Sequence, residues 1–237
     1  MATYNGARYV RQQVSTILEQ LGLDDELVVS DDGSTDDTVA IVLSFADTRV
    51  RMLEGGFRSP LQNFEHAVRH ARGDTIVLAD QDDVWLDNKL PLVRELFAGE
   101  SARPYLVVLD AEVVDENEMP LEPSVLELLG ARPGLLRNLW TNRYLGCCMA
   151  FSRDLLASAL PFPEVGMHDI WLGQLCERIG TTRFVPVVTM RYRRHEGNVT
   201  GFAIEVDPVA QIRRRVVLAR ALLRVSRRTQ RERSAKD

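Results

Sequence analysis

The sequence predicts an α/β fold in which a mostly parallel central sheet is covered by helices. Two observations carry this. Short apolar runs that stop at polar turns alternate with segments whose apolar residues recur at helical spacing, and the loops between them are short. The chain of 237 residues, 45% of them hydrophobic, is also long enough for one large domain with a sizeable core.

Taken in order, Leu27-Val28-Val29 reads as a buried strand stopped by Ser30-Asp31-Asp32-Gly33-Ser34. Thr35 is placed to cap the next helix, Asp36 and Asp37 suit its positive end, and Val39, Val42, Leu43 and Ala46 share a face. Residues 49–53 give a strand closed by Gly55-Gly56. Leu61, Phe64, Ala67, Val68 and Ala71 then mark an amphipathic helix that ends near Gly73. Residues 75–79 form a strand that delivers Asp80-Gln81-Asp82-Asp83, followed by a helix over 89–97 and a strand over 105–109. In such sheets ligands bind beyond the carboxyl ends of the strands, where both acid clusters fall. Pro120, Pro123 and Pro133 break the stretch 112–142 into short pieces. Beyond it come a strand (147–151), helices over 153–159 and 168–179, and an extended segment (184–192) in which Pro186 predicts an edge or a bulge.

The formal net charge of −5 averages two unlike parts. Residues 211–237 hold nine Arg and Lys236 against Glu232 and Asp237, a net of +8, which leaves −13 on the rest. An acidic body excludes a nucleic-acid binder that wraps its ligand in a basic surface. No run of eighteen apolar residues offers a membrane span and no charged-then-apolar leader opens the chain, so a cytoplasmic protein is expected. Cys147, Cys148 and Cys176 fit reduced, buried thiols and no disulfide framework.

The strongest chemical feature is Asp80-x-Asp82 after a buried strand. Carboxylates on alternate positions can jointly hold a hard divalent cation whose other oxygen ligands include phosphates, although such pairs also occur in solvated turns. Here Asp83 and Trp85 follow at once, and Asp31-Asp32 stands at the equivalent end of another strand. With these placed, Ala2-Thr3-Tyr4-Asn5-Gly6, Val29-Ser30-Asp31-Asp32-Gly33-Ser34-Thr35-Asp36 and Ala79-Asp80-Gln81-Asp82-Asp83-Val84-Trp85 resemble the family 2 glycosyltransferases. Gly146-Cys147-Cys148-Met149-Ala150-Phe151, Met167-His168-Asp169-Ile170-Trp171 and Tyr192-Arg193-Arg194-His195-Glu196-Gly197-Asn198-Val199 are similar to the branch labelled rhamnosyltransferase-like. The resemblance runs over roughly residues 1–202.

The resemblance implies the GT-A nucleotide-diphospho-sugar transferase fold. It also implies inverting transfer of a sugar from a UDP- or dTDP-sugar to the hydroxyl of a saccharide or lipid-linked acceptor, in bacterial surface polysaccharide synthesis and with rhamnose suggested by the branch. Residue by residue, Thr3 and Asn5 would line the nucleoside pocket, Asp32 would contact base or ribose, and Asp80 and Asp82 would hold Mg2+ or Mn2+, Asp80 being shared with the ribose in one arrangement. Asp169 matches the catalytic base; outside the motif it reads as a helix-start acid favoured by the dipole. His195 would contact phosphate or metal, or stand in an exposed turn. Arg193 and Arg194 could pair with phosphate through their forked donors, one of them facing solvent instead.

On the acceptor side, Gly146 allows close substrate approach or marks a bulge. His168 orients Asp169, binds acceptor or is an ordinary surface histidine. Trp171, like Trp85 and Trp140, is a candidate for sugar stacking or for core packing. One departure stands out: the family carries a full apolar strand before Thr3-Tyr4-Asn5-Gly6, where only Met1-Ala2 stand here. Either the start lies upstream, with Met1 internal, or the fold tolerates a stub, and the expectation is the upstream start.

Residues 209–231 read as a helix on which Arg213, Arg220, Arg224, Arg227 and Arg231 stack on one stripe beside Ile212, Val216, Ala219 and Leu223. Such a helix suits an anionic membrane surface, here the inner face of the cell membrane, or packs with a solvated arginine face. It sets residues 208–237 apart from a catalytic domain at 1–207. Two rival functions share parts of the pattern. A sugar-phosphate nucleotidyltransferase would want a phosphate loop, for which residues 3–10 supply only Gly6 and Arg8. A catalytically inactive nucleotide-sugar-binding protein is opposed by the intact Asp80, Asp82 and Asp169.

Overall fold

A parallel unit opens the chain in the computed structural model, which describes residues 1–100, 104–195 and 208–234. Asn198 and the side chains of Trp140, Arg227 and Arg231 lie outside the described residues. Strands β1 (Ala2–Thr3), β2 (Leu27–Asp31) and β3 (Val50–Glu54) pair in that order, all parallel, with helices α1 (Val10–Leu18) and α2 (Thr38–Leu43) as crossovers. β2 is buried along its whole length and carries Asp31 to its carboxyl end. Beyond the two residues of β1, a cavity of about 520 Å3 lies between β2 and β4 (Thr75–Val77), lined by Met1, Ile17, Leu27, Phe64, Ile76 and Trp85.

α2 departs from expectation. Its N-cap is Asp37, without a side-chain cap bond, and it buries Thr38 and Val42 while Leu43 and Ala46 face solvent. Ala46 takes φ +48°, so the helix has already ended and the extrapolated face does not continue. α3 (Pro60–His70) forms as its spacing predicts. Ser59 accepts from the Gln62 amide, Pro60 stands in the first turn, and Leu61, Phe64, Ala67 and Val68 are buried.

The second sheet runs β4-β8-β6-β9-β5, with β7 on β6, and is built from β5 (Val84–Trp85), β6 (Tyr105–Val114), β7 (Pro120–Glu122), β8 (Met149–Ser152) and β9 (Thr181–Arg193). Only β6 and β9 are parallel in it. The mostly parallel sheet of the sequence reading is therefore corrected to a mixed one. Strand–helix alternation stops after α4 (Lys89–Ala98), and a turn over 115–119 then joins β6 to β7, because antiparallel neighbours need no crossover helix.

β6 runs on to Val114, through Asp110 and Glu112, which break the apolar pattern. Asp110 is buried because its carboxylate accepts from Ser124 Oγ at 2.6 Å and from the Leu126 amide at 3.0 Å. β9 carries the bulge that Pro186 predicts: the register against β6 jumps from Val185 to Val188.

Helices α5 (Val125–Leu129), α6 (Leu135–Trp140), α7 (Leu156–Ala159), α8 (His168–Ile179) and α9 (Pro208–Ser234) complete the fold. α9 packs on α6 and α8, burying Leu218 and Leu222 with Val217, Ala221 and Val225 beside them. Each of those leucines contributes roughly 1.5–3 kcal/mol. The stripe expected to bear an apolar face is a different one: Ile212, Val216 and Leu223 are exposed, at 59%, 42% and 55%. Among the described residues no helix is long and apolar enough to cross a membrane. All three cysteines are buried and free, as expected.

Candidate active site

β4 aims its carboxyl end, through Leu78 and Ala79, at Asp80, and the acidic loop that follows is fastened from several sides. Gln81 pairs with the backbone of Tyr4, its Nε2 donating to the carbonyl and its Oε1 accepting from the amide, each at 2.9 Å. Gly6 makes room for this, since a Cβ there would lie 2.2 Å from Gln81 Oε1. Gln13 Nε2 donates to the Asp80 carbonyl at 2.9 Å. His195 Nε2 lies 2.9 Å from Asp82 Oδ2, and its ring centroid is 4.8 Å from that of Tyr9. His195 and Asp82 thus meet beside Asp80 at the end of β4.

Arg193 is not placed to meet a phosphate. It is buried, and its guanidinium donates to the carbonyls of Asp82 and Glu116 and to the side chains of Gln12 and Glu118. The expected phosphate contact is corrected: Arg193 holds the acidic loop from beneath, where β9 ends. Arg194 lines a separate cavity with Val113, Leu121 and Leu128.

The acids crowd one another. Burial, then Asp82 and Asp169, push the Asp80 carboxyl up to about 7, and burial with Asp82 and Asp80 holds Asp83 well above the carboxylate range. A second buried cation near them is Lys89, with Nζ 2.8 Å from the Cys147 carbonyl, 3.0 Å from Met190 Sδ and 4.7 Å from the Trp85 ring centroid. Burial pulls the Lys89 pKa down.

This donor set fits Mg2+ or Mn2+. Asp80 and Asp82 offer oxygens and His195 an imidazole nitrogen, and a divalent cation offsets the repulsion that raises Asp80. Asp80, Asp83 and Cys147 also bring ligand atoms within 4.8 Å of one another. Cys147 suits neither ion, because burial keeps its thiol protonated and a soft sulfur is a poor ligand for them.

On the side expected for the nucleoside, Thr3 Oγ1 is buried and donates to Asp31 Oδ1 at 2.8 Å. Both oxygens of Asp32 accept from the amides of Phe57, Arg58 and Ser59. Thr3 and Asp32 are therefore corrected from ligand contacts to residues that shape the flanking loops. Asn5, exposed and at φ +46°, accepts at Oδ1 from the Thr35 amide at 2.8 Å, tying the two loops together. Thr35 is occupied here and does not cap α2.

On the acceptor side, Asp169 sits in the first turn of α8. Its Oδ1 accepts from Asn142 Nδ2 at 3.0 Å and from the Ile170 amide at 2.6 Å, and burial lifts its pKa to about 6. His168 does not bond it. That ring is buried face to face with Phe64 at 3.8 Å, neither nitrogen has a partner among the described residues, and burial drops its pKa to about 3, so it is neutral. Gly146 serves His168, since a Cβ would lie 2.4 Å from Nε2. Trp171 is corrected to a core residue: it is buried, with Nε1 donating to the Ala159 carbonyl at 2.9 Å. Trp85 is buried as well. Gln81, Gln13, Lys89 and Asn142 are the residues that the sequence reading passes over; only Gln81, inside the Asp80-x-Asp82 motif, carries a local signal.

Residues 1–159 match the family model described as glycosyl transferase family 2. The chain belongs to this family. It is 24% identical over 203 residues to the Escherichia coli UDP-Glc:alpha-D-GlcNAc-diphosphoundecaprenol beta-1,3-glucosyltransferase WfgD, covering 84% of this chain and 78% of that protein. It is 24% identical over 227 residues to the dTDP-rhamnosyl transferase RfbG of Shigella flexneri, covering 85% and 73%. Among solved structures, S. aureus TarS 1-349 in complex with UDP-GlcNAc superposes with a TM-score of 0.72 at 18% identity, over 93% of this chain and 64% of that one. The mannosyltransferase PcManGT from Pyrobaculum calidifontis, in complex with GDP-Man and Mn2+, gives 0.62 at 21% identity, over 83% and 56%. This family 2 chain spans less than two thirds of both structural neighbours. Its fold is GT-A, and it is a glycosyltransferase acting on nucleotide sugars, which sets aside the nucleotidyltransferase alternative.

Proposed function

We propose that this glycosyltransferase performs metal-dependent, inverting transfer of a sugar, rhamnose among the candidates, from a UDP- or dTDP-sugar to a hydroxyl of a lipid-linked saccharide in bacterial surface polysaccharide synthesis. One observation carries the reading. Asp169 is a buried carboxylate lifted to about 6, within electrostatic reach of Asp80 at the end of β4. A base with that pKa is ionised at pH 7 and still basic enough to draw a proton in the transition state.

Asn142 and the Ile170 amide engage Oδ1, which leaves Oδ2 to face the acceptor hydroxyl. The acceptor oxygen bonds to the anomeric carbon on the face opposite the diphosphate. The carbon–oxygen bond to the diphosphate breaks with its electron pair leaving on phosphate, and the acceptor proton ends on Asp169 Oδ2. A single displacement inverts the centre. Asp80, Asp82 and His195 would hold Mg2+ or Mn2+, which supplies Lewis-acid stabilisation of the departing diphosphate. Gln81, Gln13 and Arg193 keep the acidic loop in place without reorganisation during the reaction. Asn5 stays on the rim of the nucleoside side.

The UDP-Glc and dTDP-rhamnosyl specificities in the relatives' names support the donor class, and the Mn2+ in PcManGT supports the metal. α9 supports peripheral attachment, with residues 208–237 as the address of the catalytic domain at 1–207. Val209, Ile212, Val216 and Leu223 are exposed on one stripe, bordered by the exposed Arg213, Arg220 and Arg224, an arrangement suited to an anionic inner leaflet. The test is turnover of a panel of UDP-, dTDP- and GDP-sugars with a chelator and then with Mn2+. Metal-stimulated turnover of at least one donor is expected; a folded protein with no turnover, or with full activity in chelator, overturns the reading.

A further inference from the structure

α9 brings two arginines to the segment that presents Asp169. The Arg214 side chain lies over Gly166, with its Cδ, Nε and Cζ 3.2–3.4 Å from where a Cβ on that glycine would stand. Arg215 is half-buried, and its Nε is shielded from water without a hydrogen-bond partner among the described residues. Arg215 and Asp169 act on each other electrostatically, yet no ion pair joins them, and the Asp169 carboxylate is held by Asn142 and the Ile170 amide. Among the described residues no carboxylate pairs with this half-buried guanidinium, which stands next to a second one, and an anion would satisfy its shielded Nε. Arginine's planar fork is matched to phosphate oxygens.

We propose that Arg215, flanked by Arg214, binds a phosphate group of the acceptor, so that this enzyme takes a sugar whose phosphate or diphosphate stands near the hydroxyl that Asp169 activates. The inference rests on Asp169 being the base, and it narrows the acceptor from saccharides in general to phosphorylated ones. It also gives α9 two tasks on different sides: exposed residues such as Ile212 and Leu223 meet the surface in which the acceptor is anchored, and Arg215 reads its headgroup. The WfgD relative, whose named acceptor is a GlcNAc-diphosphoundecaprenol, has the matching chemistry.

The experiment measures binding of a short-chain alkyl diphospho-GlcNAc and of the same alkyl GlcNAc without phosphate. The proteins are wild type, Arg215→Gln, Arg215→Lys and Asp169→Asn, each confirmed folded by thermal unfolding. Wild type should prefer the diphosphate probe. Arg215→Gln should weaken that probe about tenfold, the effect of one charge-assisted hydrogen bond, and leave the other unchanged. Arg215→Lys should recover part of the loss, and Asp169→Asn should still bind. Equal discrimination by wild type and Arg215→Gln overturns the proposal. So does a loss confined to anionic phospholipid vesicles, which would assign Arg215 to bulk headgroups. Because binding is read without turnover, failure of Asp169 as base would show separately, as an Asp169→Asn variant that still transfers.

Discussion

Replacing Asp169 by Asn separates the demands of chemistry from those of folding. Burial raises this carboxyl from an ordinary 3.8 to about 6 in the folded chain, so the folded state holds the proton more tightly than the unfolded state. Stability therefore falls as pH rises through the window from about 4 to about 6, and above it the ionised Asp169 costs about 3 kcal/mol, two pKa units at 1.36 kcal/mol each. Asn keeps an oxygen to accept from Asn142 and the Ile170 amide and removes the buried charge. In metal-free protein at pH 7.5 the variant should be more stable by up to about 3 kcal/mol, or several degrees in Tm at about 2–4 °C per kcal/mol. The gain should fall to about half by pH 5 and approach zero only below about pH 4, and transfer should be lost while nucleotide binding remains. Thermal unfolding from about pH 3.5 to about pH 8 measures it. An Asn variant no more stable at pH 7.5, or equally shifted at pH 5, would refute a strained carboxylate and with it the poised base.

The pH dependence of kcat/KM should rise on the acid side with an apparent pKa near 6, following ionisation of Asp169; a profile flat down to pH 5 contradicts this. Gly146→Ala drives a methyl into His168, which is already stacked on Phe64, and should cost about 1–3 kcal/mol by thermal unfolding. His195→Ala should raise the Mn2+ concentration needed for half-maximal activity about 10–100-fold with Asp82 left in place. Exchanging Arg213, Arg220 and Arg224 for Gln should lower partitioning to anionic vesicles by about two orders of magnitude at low salt, at about 1 kcal/mol per charge. Unchanged sedimentation with vesicles would remove the membrane role.

What the sequence conveys is uneven for physical reasons. α3 and α8 are legible because apolar spacing marks their buried sides and, in α3, Ser59 and Pro60 mark the start. The acids at the strand ends are legible because turns interrupt apolar runs. The far half of β6 is not, since Asp110 looks like a loop residue until Ser124 and the Leu126 amide satisfy it. Arg193 and His195 look like partners in one task, but adjacency in a motif does not fix which way a side chain points, and Arg193 is turned inward at the end of β9. Along α9 the exposed Ile212 stripe and the buried Leu218–Leu222 stripe are both apolar, so spacing alone does not choose the docked one; contact with α6 and α8 does. Asn142 and Arg215 reach Asp169 only through tertiary packing, which no local pattern encodes.

The most direct measurement is the anomeric configuration of the product, read by proton NMR coupling after transfer from the donor that the metal-supplemented panel selects. Asp169 acting as a base in a single displacement predicts a configuration opposite to that of the donor sugar. Retention would require a second displacement or a different trajectory, and would contradict the role assigned to Asp169.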